Sequence, residues 1–320
     1  MQITSHSSDE TEVVQLPGSS RQSSIRRMGT ILLFLLPSAV IYLVFVFLPV
    51  FQAAYYSFYR WNGLGPLVDF VGPRNYALAF TNQVFLGAFS HNILIAVLSL
   101  FIQLPFSLIL ALIIGKDMPG RAFFRTIFFM PYILSDVIAG LVWSFIYRPD
   151  SGLNAVLPHL LPGYQTQLWL ADPHTVLLSI FVVMLWKFFG FHLVLYSAAI
   201  QNIPDEVVEA ARIDGASSLQ IMRDIYVPLL GSTIRLTVLI SVLGSLQYFD
   251  LVWVMSLGGP VHASETMATY LINYGFRSFQ MGYGSAVGVL IFALCFVFAL
   301  MYQRFIMSKE VAGSVADAQT

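Results

Sequence analysis

The sequence predicts an all-α membrane protein with six transmembrane helices and a short cytosolic helical block between the fourth and fifth. Three observations predict it. Hydrophobic residues make up 57% of the chain and charged residues 10%, with a mean hydropathy of +0.75. Soluble domains carry about 25% charged residues, so this chain cannot cover a water-facing surface of ordinary size. Six apolar stretches are each long enough to cross a hydrocarbon core of about 30 Å, which takes roughly 20 residues. Finally, lysines and arginines alternate in density from one connecting segment to the next, as positive-inside topology requires.

The elements follow in order. Residues 1–28 form a polar N-terminal tail; the first 24 or so are rich in Ser, Thr, Gln and acids and read as disordered and cytosolic. Arg26-Arg27 then flank an uncleaved first helix. A twin-arginine export signal would have a shorter apolar core followed by a cleavage site. The membrane domain runs over residues 29–308, with spans at about 30–51, 91–114, 126–147, 174–199, 231–255 and 284–306. Pro37, Pro49, Pro105 and Pro131 fall inside or at the ends of these stretches and predict kinks. Residues 309–320 form a C-terminal tail.

One set of segments holds Arg21, Arg26, Arg27, Lys116, Arg121, Arg125, Arg212, Arg223, Arg235, Arg304 and Lys309, whereas the opposite set holds only Arg60, Arg74, Arg148 and Arg277. The first set is cytosolic, which places both termini and the block between spans four and five in the cytosol. Trp61, Tyr76, Trp169 and Tyr274 lie in the outer loops, where they serve either as interfacial anchors or as substrate contacts.

Several classes are disfavoured. A net charge of −1 argues against nucleic-acid binding, which needs a basic excess. The single cysteine, Cys295, rules out an intrachain disulfide and a Cys-based zinc site, and reads as a packing residue. Six histidines are scattered without ligand spacing, so no metal site is expected. Gly115-Lys116 is followed by Asp117, and position 110 is leucine, so there is no phosphate-binding loop.

The block between spans four and five contains "EVVEAARIDGAS", Glu206 to Ser217. Pro204 suits a first helical turn, and Asp205 and Glu206 favour a helix N-terminus. The helix runs to about Ile213, where Asp214-Gly215 offers a C-cap. Ser217 and Gln220 have capping-box spacing. A second helix follows, with Leu219, Met222, Ile225 and Tyr226 on one face, and ends at Val227-Pro228. Two readings stand for this pair of helices. One is an amphipathic helix lying on lipid headgroups; the other is a protein-docking helix. Asp205, Glu206, Glu209 and Asp214 against a single Arg212 make anionic lipid a poor partner. Ala210-Ala211 lets another backbone approach closely.

The run Glu209-Ala210-Ala211, Asp214-Gly215-Ala216, Ile225, Pro228 and Leu229 resembles the "EAA" loop of ABC importer permeases. "FLLPSAVIYLVFVFLPVFQAAYYSFYRWNG" (Phe34–Gly63), "FVGPRNY" (Phe70–Tyr76), "FFRTIFFMPYILS" (Phe123–Ser135), "LWKFFGFHLVLYSAAIQNIPDE" (Leu185–Glu206) and "YFDLVWVMSLGGP" (Tyr248–Pro260) extend the resemblance to the sugar-importer branch, the maltose and glycerol-phosphate type. It covers nearly everything from residue 30 to 306.

The resemblance implies a non-enzymatic permease subunit in the cytoplasmic membrane of a bacterium or archaeon. Its implied partners are a second permease, a dimer of cytosolic ATPase subunits that hold ATP and Mg, and an extracytoplasmic solute-binding protein. Loop 203–230 would then carry the coupling helix. Glu209 would pair with the ATPase, Ala210 and Ala211 would permit close approach, and Asp214-Gly215 would turn the chain. Gly258, Gly259 and Pro260 would face the binding protein. No cofactor is expected in this chain.

Ionisable residues at membrane depth face a cavity or a partner. Lys187, Asp136 and Asp250 are such residues, and Lys187 serves either a structural pairing, with Asp136 or with helix carbonyls, or transport. Asp136 is where the chain departs from the family, which more often has a small or apolar residue there. Gln247, Tyr248 and Asp250 combine an aromatic face with hydroxyl-binding groups. At helical spacing Gln247 and Asp250 share a face, with Tyr248 beside them. Trp143, Trp186, Tyr196 and Trp253 join them as aromatic candidates, or pack between helices. With Lys187 the only cation there, a neutral sugar is favoured over a phosphate ester. The alternative is a secondary transporter, which tends to show repeated halves; none is evident between residues 30–147 and 174–306.

Overall fold

The computed structural model describes residues 21–116 and 118–307, and contains no strand among them. It comprises two compact units, residues 1–52 and 53–320. The expected tails, and Lys309, fall largely outside the described residues. The first helix nevertheless opens at Arg21, ahead of the expected boundary at 29. It includes the candidate span α1 (Thr30–Tyr56) and keeps Pro37 inside.

The second unit contains α2 (Arg74–Thr81), α3 (Gln83–Ile114), α4 (Arg121–Ile133), α5 (Asp136–Ile146), α6 (Leu153–Leu160), α7 (Val176–Gln201), α8 (Asp205–Ile213), α9 (Ser218–Leu229), α10 (Gly231–Leu246), α11 (Asp250–Ser256), α12 (Met267–Tyr270) and α13 (Met281–Met307). By length and composition α1, α3, α7 and α13 can each cross a membrane. The pairs α4–α5 and α9–α10, bent by 94° and 68°, bring the number to six if each is one broken span.

Two expected spans are discontinuous. Residues 126–147 are not one kinked helix; the chain breaks after α4, with Leu134 and Ser135 extended. The Ser135 hydroxyl accepts from the Ile138 N–H and so starts α5 afresh. Residues 231–255 break at Gln247–Phe249, and Asp250 sits in the first turn of α11, where an acid suits the helix dipole.

The prolines act differently from simple kinks at three places. π turns at Leu43–Phe47, Ser99–Gln103 and Ile221–Tyr226 each end two residues before a proline, at Pro49, Pro105 and Pro228. Proline lacks an N–H and crowds the carbonyl four residues back. The wider π turn relieves this while the helix continues.

α7 carries buried residues along its length, from Val176 to Ile200, and packs against α3, α4, α5, α10 and α11 of the second unit, while Leu178 and Val182 stay exposed. It is apolar all round, as a central helix must be. Gly190 lets α4 lie against it, since a Cβ there would stand 1.9 Å from the Phe128 carbonyl oxygen. Buried amides tie the helices together. Asn92 of α3 donates to the Ser245 carbonyl (2.6 Å) and accepts from the Met267 N–H (2.8 Å). Asn75, within "FVGPRNY", donates to the carbonyls of Ser57 (2.8 Å) and Tyr59 (3.0 Å).

Candidate functional site

Two places concentrate polar chemistry in this apolar chain: the block between α7 and α10, and the space beside the breaks in α4–α5 and α10–α11.

The block is built by local signals. Pro204 is the N-cap of α8, one position earlier than a first-turn proline, and Asp205 and Glu206 occupy the first turn. At the other end the Ala216 N–H reaches the Ala211 carbonyl (2.9 Å) and the Gly215 N–H reaches that of Arg212 (3.1 Å). These two bonds form a Schellman motif, and Gly215 takes the positive φ it needs, +83°. Ser217 and Gln220 then form the reciprocal capping box of α9. Val208 is buried beneath α8, whereas Glu209, Ala210, Asp214 and Gly215 are exposed and Ala211 is half-buried. Ile203 and Leu230, just before and just after the block, enter one buried cluster with Ala111, Ile114, Tyr196 and Ile200. The knob is thus clamped at both ends.

One detail of α9 differs from expectation. Leu219 does not share the half-buried environment of Met222, Ile225 and Tyr226; it is 74% exposed, and Ile221 is buried instead. In the π turn residues five apart align, so Ile221 rather than Leu219 stacks above Tyr226. Ile213, on the other side of the turn, is 86% exposed. Val207 and Leu229 of the same block are exposed as well, at 42% and 53%.

At the α4–α5 break, Lys187 of α7 is only 2% exposed. Its ammonium donates to the Leu134 carbonyl at the end of α4 and lies 3.6 Å from the Asp136 carboxylate at the start of α5. A broken helix leaves carbonyls without partners. A cation suits the C-terminal end and an acid the N-terminal end, so the pair fills both needs.

Beside it lies a cavity of about 200 Å³. Tyr132, Phe188, Phe191 and Tyr248 give it aromatic walls; Ser99, Gln103, His192, Ser241 and Ser245 give it polar ones. Tyr132 stacks on Phe191 with centroids 4.9 Å apart, and Phe188 meets Tyr248 edge to face at 6.3 Å. The Tyr248 hydroxyl and His192 Nδ1 are buried and have no hydrogen-bond partner among the described residues. Such groups are costly unless something binds them.

Of the four pathway residues singled out by sequence, only Tyr248 lines this cavity. Gln247 and Asp250 do not share a helical face, because the chain is non-helical between them. Gln247 lines a separate groove with Leu243, Phe292 and Cys295. Asp250 is exposed, and Lys187 is held at the break. Trp143 and Trp186 pack edge to face, Trp253 stacks on Phe249, and the Tyr196 hydroxyl bonds Thr237 (2.7 Å). His192 was passed over as one of six scattered histidines. Met184, Phe188, Phe191 and His192 recur at helical spacing along α7, a signal that could have found it.

The Gly258-Gly259-Pro260 loop is firmly knit. Ser264 Oγ bonds Ser256 Oγ (2.8 Å) and donates to the Gly259 carbonyl. The Glu265 side chain is fully buried, accepting from Asn273 Nδ2 (2.9 Å) and meeting His262 Nδ1. Val261, next to Pro260, stands out from this scaffold, 87% exposed.

Comparison with known proteins agrees with this architecture. The family model described as "Binding-protein-dependent transport system inner membrane component" matches residues 103–308. A probable ABC transporter permease protein of Bacillus subtilis, YurN, is 35% identical over 276 residues, covering 85% of this chain and 94% of that protein. The diacetylchitobiose uptake system permease protein NgcF of Streptomyces coelicolor is 30% identical over 311 residues, covering 93% and 88%. A chain of a bacterial alginate ABC transporter, solved in complex with its alginate pentasaccharide-bound periplasmic protein, shares the fold: TM-score 0.79 at 22% identity, covering 91% of this chain and 98% of that one. The chain therefore belongs to the binding-protein-dependent transport system inner membrane components, the permease subunits of ABC transporters.

Proposed function

We propose that this permease carries a neutral sugar or small oligosaccharide across the cytoplasmic membrane, driven by ATP hydrolysis on separate subunits. The observation that carries the substrate class is the cavity beside the α4–α5 break. Its aromatic walls suit the C–H faces of a sugar ring. The unpartnered Tyr248 hydroxyl and His192 Nδ1 suit sugar hydroxyls. No cation lines it, and the neighbouring Lys187 is already engaged, so an anionic solute would lack a counter-charge. The diacetylchitobiose uptake for which the relative NgcF is named supports a saccharide; the uncharged cavity favours a neutral one.

The chain pairs with a second permease and two ATPase subunits, which bind ATP and Mg. A solute-binding protein delivers ligand at the Gly258–Pro260 loop. α8 is the coupling helix, with Glu209 facing a cation of the ATPase, Ala210 and Ala211 at the closest approach, and Asp214-Gly215 making the turn. Closure of the ATPase dimer draws the coupling helices together and tilts the membrane helices to open the cavity outward. Hydrolysis resets them. Proteoliposomes holding the full complex, with ATP inside and loaded binding protein outside, test this reading. Uptake of a neutral saccharide that stops without ATP is expected. Uptake driven by a proton or sodium gradient in the absence of ATP contradicts it.

A further inference from the structure

Lys116, in the turn between α3 and α4, reaches the start of the block between α7 and α10. Its ammonium donates to the Ile203 carbonyl, beyond the end of α7, and lies 2.8 Å from Asp205 Oδ1, in the first turn of α8. Lys116 is largely buried, its side chain 14% exposed, whereas that of Asp205 is 74% exposed. Seen from the other side, the Lys116 backbone is held as well. Arg121 donates to its carbonyl, and Arg125 reaches the Gly115 carbonyl at 3.5 Å. One residue thus joins three elements: the end of α7, the start of α8, and the α3–α4 turn gripped by α4.

A surface ion pair would contribute little by itself. This one differs because the same ammonium also bonds a backbone carbonyl, and because Ile203 is buried with Ile114. The arrangement fixes the height and direction of α8 against the membrane domain. It also lies on a continuous route. α4 runs from Arg121, past the close contact of Phe128 with Gly190 of α7, to the break at Leu134–Asp136 held by Lys187.

We propose that Lys116 is a positioning residue for energy coupling, the link that passes displacement of α8 to α4 and so to the break beside the cavity. This rests on α8 being the ATPase-docking helix. It adds that docking alone is insufficient: the knob must also be latched to the α3–α4 turn.

The test uses the complete transporter in proteoliposomes and measures solute taken up per ATP hydrolysed. Lys116→Met keeps side-chain length but removes the cation. Co-purification of the ATPase and thermal stability of the complex should stay at wild-type levels, because the docking face and its clamps are untouched. Uptake per ATP should fall about tenfold, in the range of coupling energies between sites. Lys116→Arg should restore at least half of it. Asp205→Asn, an exposed substitution that leaves the Ile203 bond in place, should lower it two- to threefold. An assembled Lys116→Met complex with wild-type uptake per ATP overturns the proposal. If Lys116→Met does not assemble, wild-type uptake per ATP in Asp205→Asn overturns it instead. Failure of the docking reading looks different: a photo-crosslinker at Ala210 of α8 in the wild-type complex would join lipid and not an ATPase subunit, whatever Lys116→Met does.

Discussion

The block between α7 and α10 and the cavity beside the α4–α5 break are both polar islands in an apolar chain, but they are made in opposite ways. The block, from Pro204 to Leu229, is specified by neighbours in sequence. An acidic first turn, a Schellman glycine and a capping box each act within six residues. The cavity is specified by helices that break. Ser99 and Gln103 come from a π turn in α3, Tyr132 from the end of α4, His192 from α7, and Tyr248 from the gap between α10 and α11. Local signals make a rigid knob that tolerates single changes; convergent breaks make a site whose parts depend on one another.

That contrast yields graded predictions. The largest effect is expected where the breaks are packed. Gly190→Val would drive a side chain into the Phe128 carbonyl and push α4 away from α7. Overpacking costs about 1–3 kcal/mol and more where only backbone opposes it. The variant should not yield an assembled complex by size-exclusion chromatography, whereas a wild-type elution profile would show that α4 and α7 are not in contact there.

Next comes Lys187→Met, which strands a carboxylate and a carbonyl at the α4–α5 break. Breaking a buried pair costs roughly 3–5 kcal/mol, and the partial exposure of Asp136 brings the expected loss to about 2 kcal/mol. Thermal unfolding of the purified complex should show it. Adding Asp136→Asn should recover part of the loss, as a double-mutant cycle requires for a real pair. Additive losses would mean the two do not interact.

Within the knob, Gly215→Ala forces an ordinary residue to a φ of +83°. The expected cost is about 1 kcal/mol. It should leave assembly intact and lower uptake less than twofold. A collapse of uptake would place more of the coupling in that turn than the clamps at Ile203 and Leu230 imply.

The smallest structural change carries the sharpest test of the cavity. Tyr248→Phe removes one unpartnered hydroxyl. Stability should be unchanged or improved, because a buried unsatisfied group is lost. The KM for uptake should rise about fivefold, the value of roughly one hydrogen bond. Reduced stability with unchanged KM would show that the hydroxyl serves the fold and not the solute.

What was legible in the sequence follows the same division. The membrane class, the long α3, α7 and α13 and the limits of α8 were readable, because length, apolar content and capping residues act locally. The breaks were not. Pro131 announced a kink, yet the 94° bend comes three residues later, where Lys187 from another helix stabilises the exposed ends. Gln247 and Asp250 were placed on one face by spacing alone, and spacing carries no sign of the gap at Gln247–Phe249. His192 became meaningful only once α3, α4 and α10 were seen to converge on its face of α7. Leu219 was grouped by spacing with Met222, Ile225 and Tyr226, and spacing carries no sign of the π turn that leaves Leu219 exposed.

The central claim is that this knob docks on an ATPase subunit and not on lipid, and position 210 tests it most directly. A photo-crosslinking amino acid replacing Ala210, exposed on α8 between Glu209 and the half-buried Ala211, can be irradiated in membranes that contain the whole transporter. The account predicts an adduct with the mass of this chain plus one ATPase subunit, suppressed by Glu209→Lys. Adducts with lipid alone, at equal yield with and without that substitution, would contradict it.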